Sequence, residues 1–124
     1  MKNKKIVFID KDDFYRKLYK RKLEEEGVEL FVAKTGNEGW DIIQREDPDL
    51  VITEVMVQGK GGFKIKKEMN KDDDLSNIPF VVLTDLAQES DKEQAKEMGV
   101  DAYFVKQESE VSEVLDKIKS LLNN

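Results

Sequence analysis

Cysteine and histidine are both missing from the 124 residues. Without cysteine there is no disulfide framework, no thiol nucleophile and no thiolate zinc site. Without histidine there is no Ser-His-Asp chemistry, no imidazole ligand for a metal and no phosphohistidine relay within the chain. No apolar run is long enough to span a membrane, and the start, MKNKKIVFID, does not read as a signal peptide. An excess of base is lacking too. Lysine and arginine number 21 against 27 acids, a net charge of −6, which disfavours nucleic-acid phosphates and anionic lipid as partners. What is left for chemistry is carboxylates, hydroxyls and lysines, and the expected setting is the cytoplasm.

Low-complexity runs, linkers and internal repeats are likewise missing, so residues 1–124 read as a single domain of ordinary size. Five apolar segments recur: KIVFI (5–9), ELFVA (29–33), DLVIT (49–53), PFVVLT (79–84) and AYFVK (102–106). Helical spacing lies between them. Phe14, Tyr15, Leu18, Tyr19 and Leu23 share a face, with Asp12 or Asp13 as N-cap and Gly27 as stop. Weaker patterns cover about 37–45, with Trp40 as packing residue, 63–69 and 87–98. The last helix is the clearest: Val111, Val114, Leu115, Ile118, Leu121 and Leu122 form a stripe, with Ser109 as the expected cap. A strand–helix unit repeated five times predicts a doubly wound α/β fold with a parallel sheet covered on both faces. Sites in such sheets lie at the carboxyl ends of the strands.

Those ends carry Asp10, Lys11 and Asp12 after the first strand, Glu54 after the third, Thr84 on the fourth and Lys106 on the fifth. Carboxylates, a hydroxyl and lysines in one pocket are what aspartyl phosphorylation needs: acids hold Mg²⁺, one acid attacks phosphorus, and Lys and Thr bind the phosphoryl oxygens.

The chain resembles the receiver domains of bacterial response regulators over Lys5 to about Leu122. KIVFIDKDDFYR resembles that family's first strand, acidic pair and following helix, including an arginine at Arg16; PDLVITEVM resembles its phosphoacceptor strand, GGF the turn into its third helix, IPFVVLTD its switch-threonine strand, and MGVDAYFVK the strand ending in its lysine. The resemblance implies a flavodoxin-like (βα)5 fold with strand order 2-1-3-4-5 and a role in two-component signal transduction. It implies that Thr84 and Tyr103 are switch positions, that Lys106 is the pocket lysine, and that a metal would sit among positions 10, 11, 54 and 56.

Departures from the family decide the expected function. Glu54 stands at the phosphoacceptor position, Lys11 at the second acid of the pair and Gln107 at the proline after the lysine. One extra methylene displaces the Glu54 oxygens by roughly a bond length, and in-line attack tolerates little misplacement. The acidic pocket of Asp10, Asp12, Glu54 and Met56 is degenerate through Lys11, which is expected to pair with Asp10 and Glu54 in place of Mg²⁺. Metal binding is then expected to be weak at best, with no other cofactor. A cis peptide before a non-proline residue is costly, so the Lys106–Gln107 bond is expected to be trans.

The leading expectation is a stand-alone pseudo-receiver, a non-enzymatic interaction module in which aspartyl phosphorylation is lost. Its partners would be signalling proteins, such as a sensor kinase or an output protein, or a second copy, meeting helix four, strand five and helix five (about 87–122). A second reading is a phosphorylatable regulator with an unusual site and residual autophosphatase activity. A third follows from VFIDKDDF, which fits the opening of haloacid-dehalogenase-type phosphatases with Asp10 as nucleophile and Asp12 as acid. Blander readings stand beside these: Glu54 as a solvated strand-end acid, Lys11 as a surface lysine, and Thr84 and Tyr103 as ordinary strand residues.

Overall fold

In the computed structural model, which describes residues 1–123, the five apolar segments form parallel strands: β1 (Lys5–Ile9), β2 (Glu29–Ala33), β3 (Leu50–Thr53), β4 (Phe80–Thr84) and β5 (Ala102–Val105). Between and after them run α1 (Asp13–Glu25), α2 (Gly36–Glu46), α3 (Gly62–Asn70), α4 (Glu89–Glu97) and α5 (Val111–Leu122). The strand order is β2-β1-β3-β4-β5, as the resemblance implied. Every residue of the central strands β3 and β4 is buried. Such strands need no polar alternation, because helices cover both faces.

The two faces have separate cores. On one, Ile6, Phe8, Leu50, Ile52, Val81 and Leu83 meet Tyr19 and Leu23 of α1 and Val114 and Ile118 of α5. On the other, Val7, Ile9, Val51, Phe80 and Val82 meet Ile42 and Ile43 of α2 and Ile65 and Met69 of α3. Helix α4 buries only Ala95, so the fewest apolar contacts hold it.

Local chemistry sets the helix ends. The Asp12 carboxylate accepts the Phe14 N–H and caps α1; Gly27, at φ +84°, follows its end. The cap of α5 is Glu110, not the expected Ser109: its side chain and that of Glu113 reciprocally satisfy backbone N–H groups. A short 3₁₀ turn, Lys106–Glu108, separates β5 from that cap. The chain has no cis peptide bond among the described residues, so Lys106–Gln107 is trans.

Register brings the strand ends together. Ile9 is level with Thr53, Thr53 with Val82, and Thr84 with Val105. Asp10, Glu54 and Lys106 are the next residues along their strands.

Candidate phosphoacceptor pocket

Asp10, Glu54, Thr84 and Lys106 are all buried at these ends, at 1 %, 3 %, 0 % and 6 % exposure. A buried charge is tolerated only when paired and hydrogen-bonded. Lys106 supplies the pairing: its ammonium lies 2.9 Å from Asp10 Oδ2 and 3.1 Å from Glu54 Oε2. The face of Tyr15 lies 4.2 Å from the same ammonium and closes that side of the pocket with a cation–π contact.

Glu54 is the most heavily partnered group. Oε1 accepts the Val55 N–H at 2.8 Å and the Thr84 hydroxyl. Oε2 accepts the Asp85 N–H at 3.3 Å together with Lys106. A carboxylate offers about four lone-pair directions, and here each oxygen has two donors. The Thr84 oxygen in turn accepts the Leu86 N–H at 3.2 Å, and the Tyr103 hydroxyl donates to the Leu86 carbonyl at 2.8 Å. Glu54, Thr84, the 85–86 backbone and Tyr103 thus form one continuous chain of hydrogen bonds. Burial pushes the Tyr103 hydroxyl up to about 12.

Asp10 is held differently. Its Oδ1 accepts the Asp12 N–H at 2.9 Å, and its backbone carbonyl accepts Arg16 Nη1 at 2.7 Å. Arg16 also pairs with Asp13 at 2.5 Å. Burial raises the Asp10 carboxyl above its ordinary value despite Lys106, and the Glu54 charge adds to the rise. Lys106 is also raised: burial works against its charge, but bonds to Asp10 and attraction from both acids outweigh it. The two directions agree physically. One cation between two carboxylates leaves excess negative charge, so both partners hold their protons more tightly.

Two expectations need correction. Lys11 does not take the pocket cation's place: it is exposed, and the ion pairs to Asp10 and Glu54 belong to Lys106. It lies instead with Met56, Val57 and Gln58 around a shallow surface cavity. Asp12 does not converge with Asp10 and Glu54 either; it is exposed and spent on the α1 cap. Met56 is 59 % exposed. Among the described residues, no three carboxylates gather closely enough to hold a metal ion.

Sequence reasoning left out Tyr15 as a pocket wall, the Val55 and Asp85 N–H donors, and a clamp on the loop after β3. There the Gly36 N–H donates to the Gln58 carbonyl at 2.9 Å and the Lys60 N–H to Asn37 Oδ1 at 3.1 Å. The Lys60 ammonium sits over the half-buried Trp40 ring at 5.5 Å and pairs with Glu68. A Cβ on Gly36 would come 1.4 Å from the Lys60 carbonyl oxygen, so only glycine allows the loop to lie there. The residue that permits this approach is Gly36 of TGNEG rather than the glycines of GKGG on the loop itself.

Residues 6–119 match the family described as the response regulator receiver domain. The chain belongs to that family. Among curated relatives, the polar-differentiation response regulator DivK of Brucella anthropi is 27 % identical over 121 residues, covering 98 % of each chain. Among solved structures, a response regulator from Chloroflexus aurantiacus superposes with a TM-score of 0.90 at 25 % identity, covering 99 % of this chain and 100 % of that one. The BeF3-activated N-terminal receiver domain of Klebsiella pneumoniae RstA gives 0.88 at 27 % identity, covering 97 % and 99 %. The chain is thus a receiver of two-component signalling. Family membership overturns the haloacid-dehalogenase reading, and the capping role of Asp12 removes its proposed acid.

Proposed function

We propose that this receiver signals through protein contacts without aspartyl phosphorylation, with Glu54 a built-in anion at the phosphoacceptor position. The observation that carries this reading is the saturation of Glu54. Both oxygens already take two donors each from Val55, Thr84, Asp85 and Lys106. A nucleophile must present a free lone pair in line with phosphorus at about 3 to 3.5 Å; Glu54 would have to give up a buried bond first. Its contacts to Thr84 and Lys106 are those that a phosphoryl group needs from the same residues.

The residues do not suit Mg²⁺. An ion of this kind needs carboxylates in near-octahedral geometry. Asp12 caps a helix, Lys11 is exposed and supplies no carboxylate, and Asp10 and Glu54 are engaged by Lys106. No catalytic step is assigned to the chain. The hydrogen-bonded path from Glu54 through Thr84 and Leu86 to Tyr103 supports a fixed conformation at β4–α4, and the face of α4, β5 and α5 is the proposed surface for a kinase, an output protein or a second copy.

Incubation with acetyl phosphate and Mg²⁺, read by intact mass, tests the proposal. The expected result is no phosphoryl adduct on the native chain and an adduct on the Glu54→Asp, Lys11→Asp double variant. An adduct on the native chain that maps to Glu54 would favour the phosphorylatable reading instead.

A further inference from the structure

Positive charge gathers on α3 that the pocket does not use. Lys64, Lys67 and Lys71 are solvent-accessible at its surface, and among the described residues none of them joins an ion pair. Their spacing of three and four residues sets them along one side of the helix over roughly 10 Å. Across from them, α4 and its C-terminal end contribute Gln94 and Met98. With Phe63 and Glu68 these residues line an open groove of about 430 Å³.

The groove is preformed and its charge is one-sided. Asn70 Nδ2 donates to the Met98 carbonyl at 3.0 Å and ties α3 to the end of α4. Glu68 is the one acid in the lining, and its carboxylate is already taken by Lys60, whose hydrogen bond holds it below its ordinary value. Three lysines without an ion-pair partner among the described residues therefore line the groove together with the apolar side chains of Phe63 and Met98. In a chain of net charge −6, such a concentration of unpaired base is a local departure that favours a carboxylate-bearing ligand.

The surroundings limit what that ligand is. Asp72, Asp73 and Asp74 follow Lys71 directly, and Glu89, Glu93 and Glu97 are exposed along α4. A long polyanion such as duplex DNA, or an anionic membrane, would meet these acids as soon as it left the groove. A short segment would not. We infer that the α3–α4 groove is a docking site for a short acidic peptide segment carrying one apolar side chain. Its carboxylates pair with Lys64, Lys67 and Lys71, and its apolar side chain seats between Phe63 and Met98. The site adjoins the α4–β5–α5 face through Gln94 and Met98 of α4 and its C-cap and does not depend on Glu54.

Exposed ion pairs are individually weak, so the affinity is set at a Kd of about 0.1 to 1 mM for a single short segment. The test is an amide NMR titration of the full chain with a synthetic peptide of glutamates around one central leucine. Saturable shifts confined to Phe63, Lys64, Lys67, Lys71, Gln94 and Met98 are expected. Affinity should fall about tenfold in the Lys64→Glu, Lys67→Glu double variant, and severalfold when serine replaces the peptide's leucine. Unchanged amide positions outside the groove establish that the variant is folded; the leucine-to-serine comparison on the native chain tests the site without any variant. No saturable shift by about 10 mM peptide, shifts centred elsewhere, equal binding of tripolyphosphate, or tighter binding of duplex DNA would each overturn the proposal.

Discussion

The Thr84 hydroxyl donates to Glu54 Oε1 across thirty residues of sequence, and both groups are buried. That bond joins β3 to β4 at the level where the strands end, and it fixes the orientation of the carboxylate. With Lys106 on the other oxygen, Glu54 is held from both sides.

Removing the charge while keeping the shape should therefore be costly. In Glu54→Gln, one amide NH₂ must face donors, because Val55, Asp85 and Lys106 all offer protons. A buried donor left against a donor costs about 1 to 3 kcal/mol. Urea unfolding should show a loss of that size, and amide shifts should appear at Asp85 and Leu86. Unchanged stability would mean that the Glu54 contacts contribute little.

Lys106→Met should be worse than Glu54→Gln. It leaves Asp10 and Glu54 buried beside each other with no cation, and breaking a buried pair costs about 3 to 5 kcal/mol. Adding Asp10→Asn to Lys106→Met should recover part of the loss, since one of the stranded charges is then gone. Additive losses in a double-mutant cycle would contradict the ion triad.

High pH should act through the same groups. Lys106 is raised above 10.5 in the fold, so its contribution to stability is fully present below 10.5 and is lost as pH rises through its folded value. Tyr19 and Tyr103 are both raised from 10.0 to about 12, chiefly by burial. As acids with raised values, they favour the fold in their neutral form, and that contribution also disappears as pH rises toward about 12. Tyrosinate absorbance of the folded protein should lag behind that of the urea-unfolded chain between these limits, and Tyr103→Phe should remove one lagging group.

Gly36→Ala should dislodge the loop after β3, because its Cβ would occupy the Lys60 carbonyl position. Overpacking of this kind costs about 1 to 3 kcal/mol. The chain's one tryptophan, Trp40, lies under the Lys60 ammonium, so its emission should change in Gly36→Ala and in Lys60→Ala. Identical emission in both variants and the native chain would show that the loop does not rest on α2.

Much of the architecture was legible because strands buried on both faces are apolar without alternation. VVL of β4 and LVI of β3 have that composition, and spaced between helical patterns they imply a parallel sheet. The strand-end rule then found Asp10, Glu54, Thr84 and Lys106. It did not resolve Asp10, Lys11 and Asp12 from one another, because three consecutive residues leaving a strand point in different directions. Only the fold shows Asp10 turned in, Asp12 turned to the α1 N-terminus and Lys11 left outside. Backbone donors such as the Val55 and Asp85 N–H groups carry no sequence signature at all. The basic rim of α3 stayed unread because its apolar periodicity is weak and its lysines look like an ordinary solvated face.

The central proposal is that Glu54, at the phosphoacceptor position, stands in for a phosphorylated residue and leaves the pocket no use for a metal. Amide NMR of the native chain with millimolar Mg²⁺, followed by beryllofluoride, tests it most directly. The account predicts spectra that stay flat at Asp10, Glu54, Thr84 and Lys106 through both additions. Saturable shifts clustered at those four residues would contradict it and restore a working phosphorylation switch.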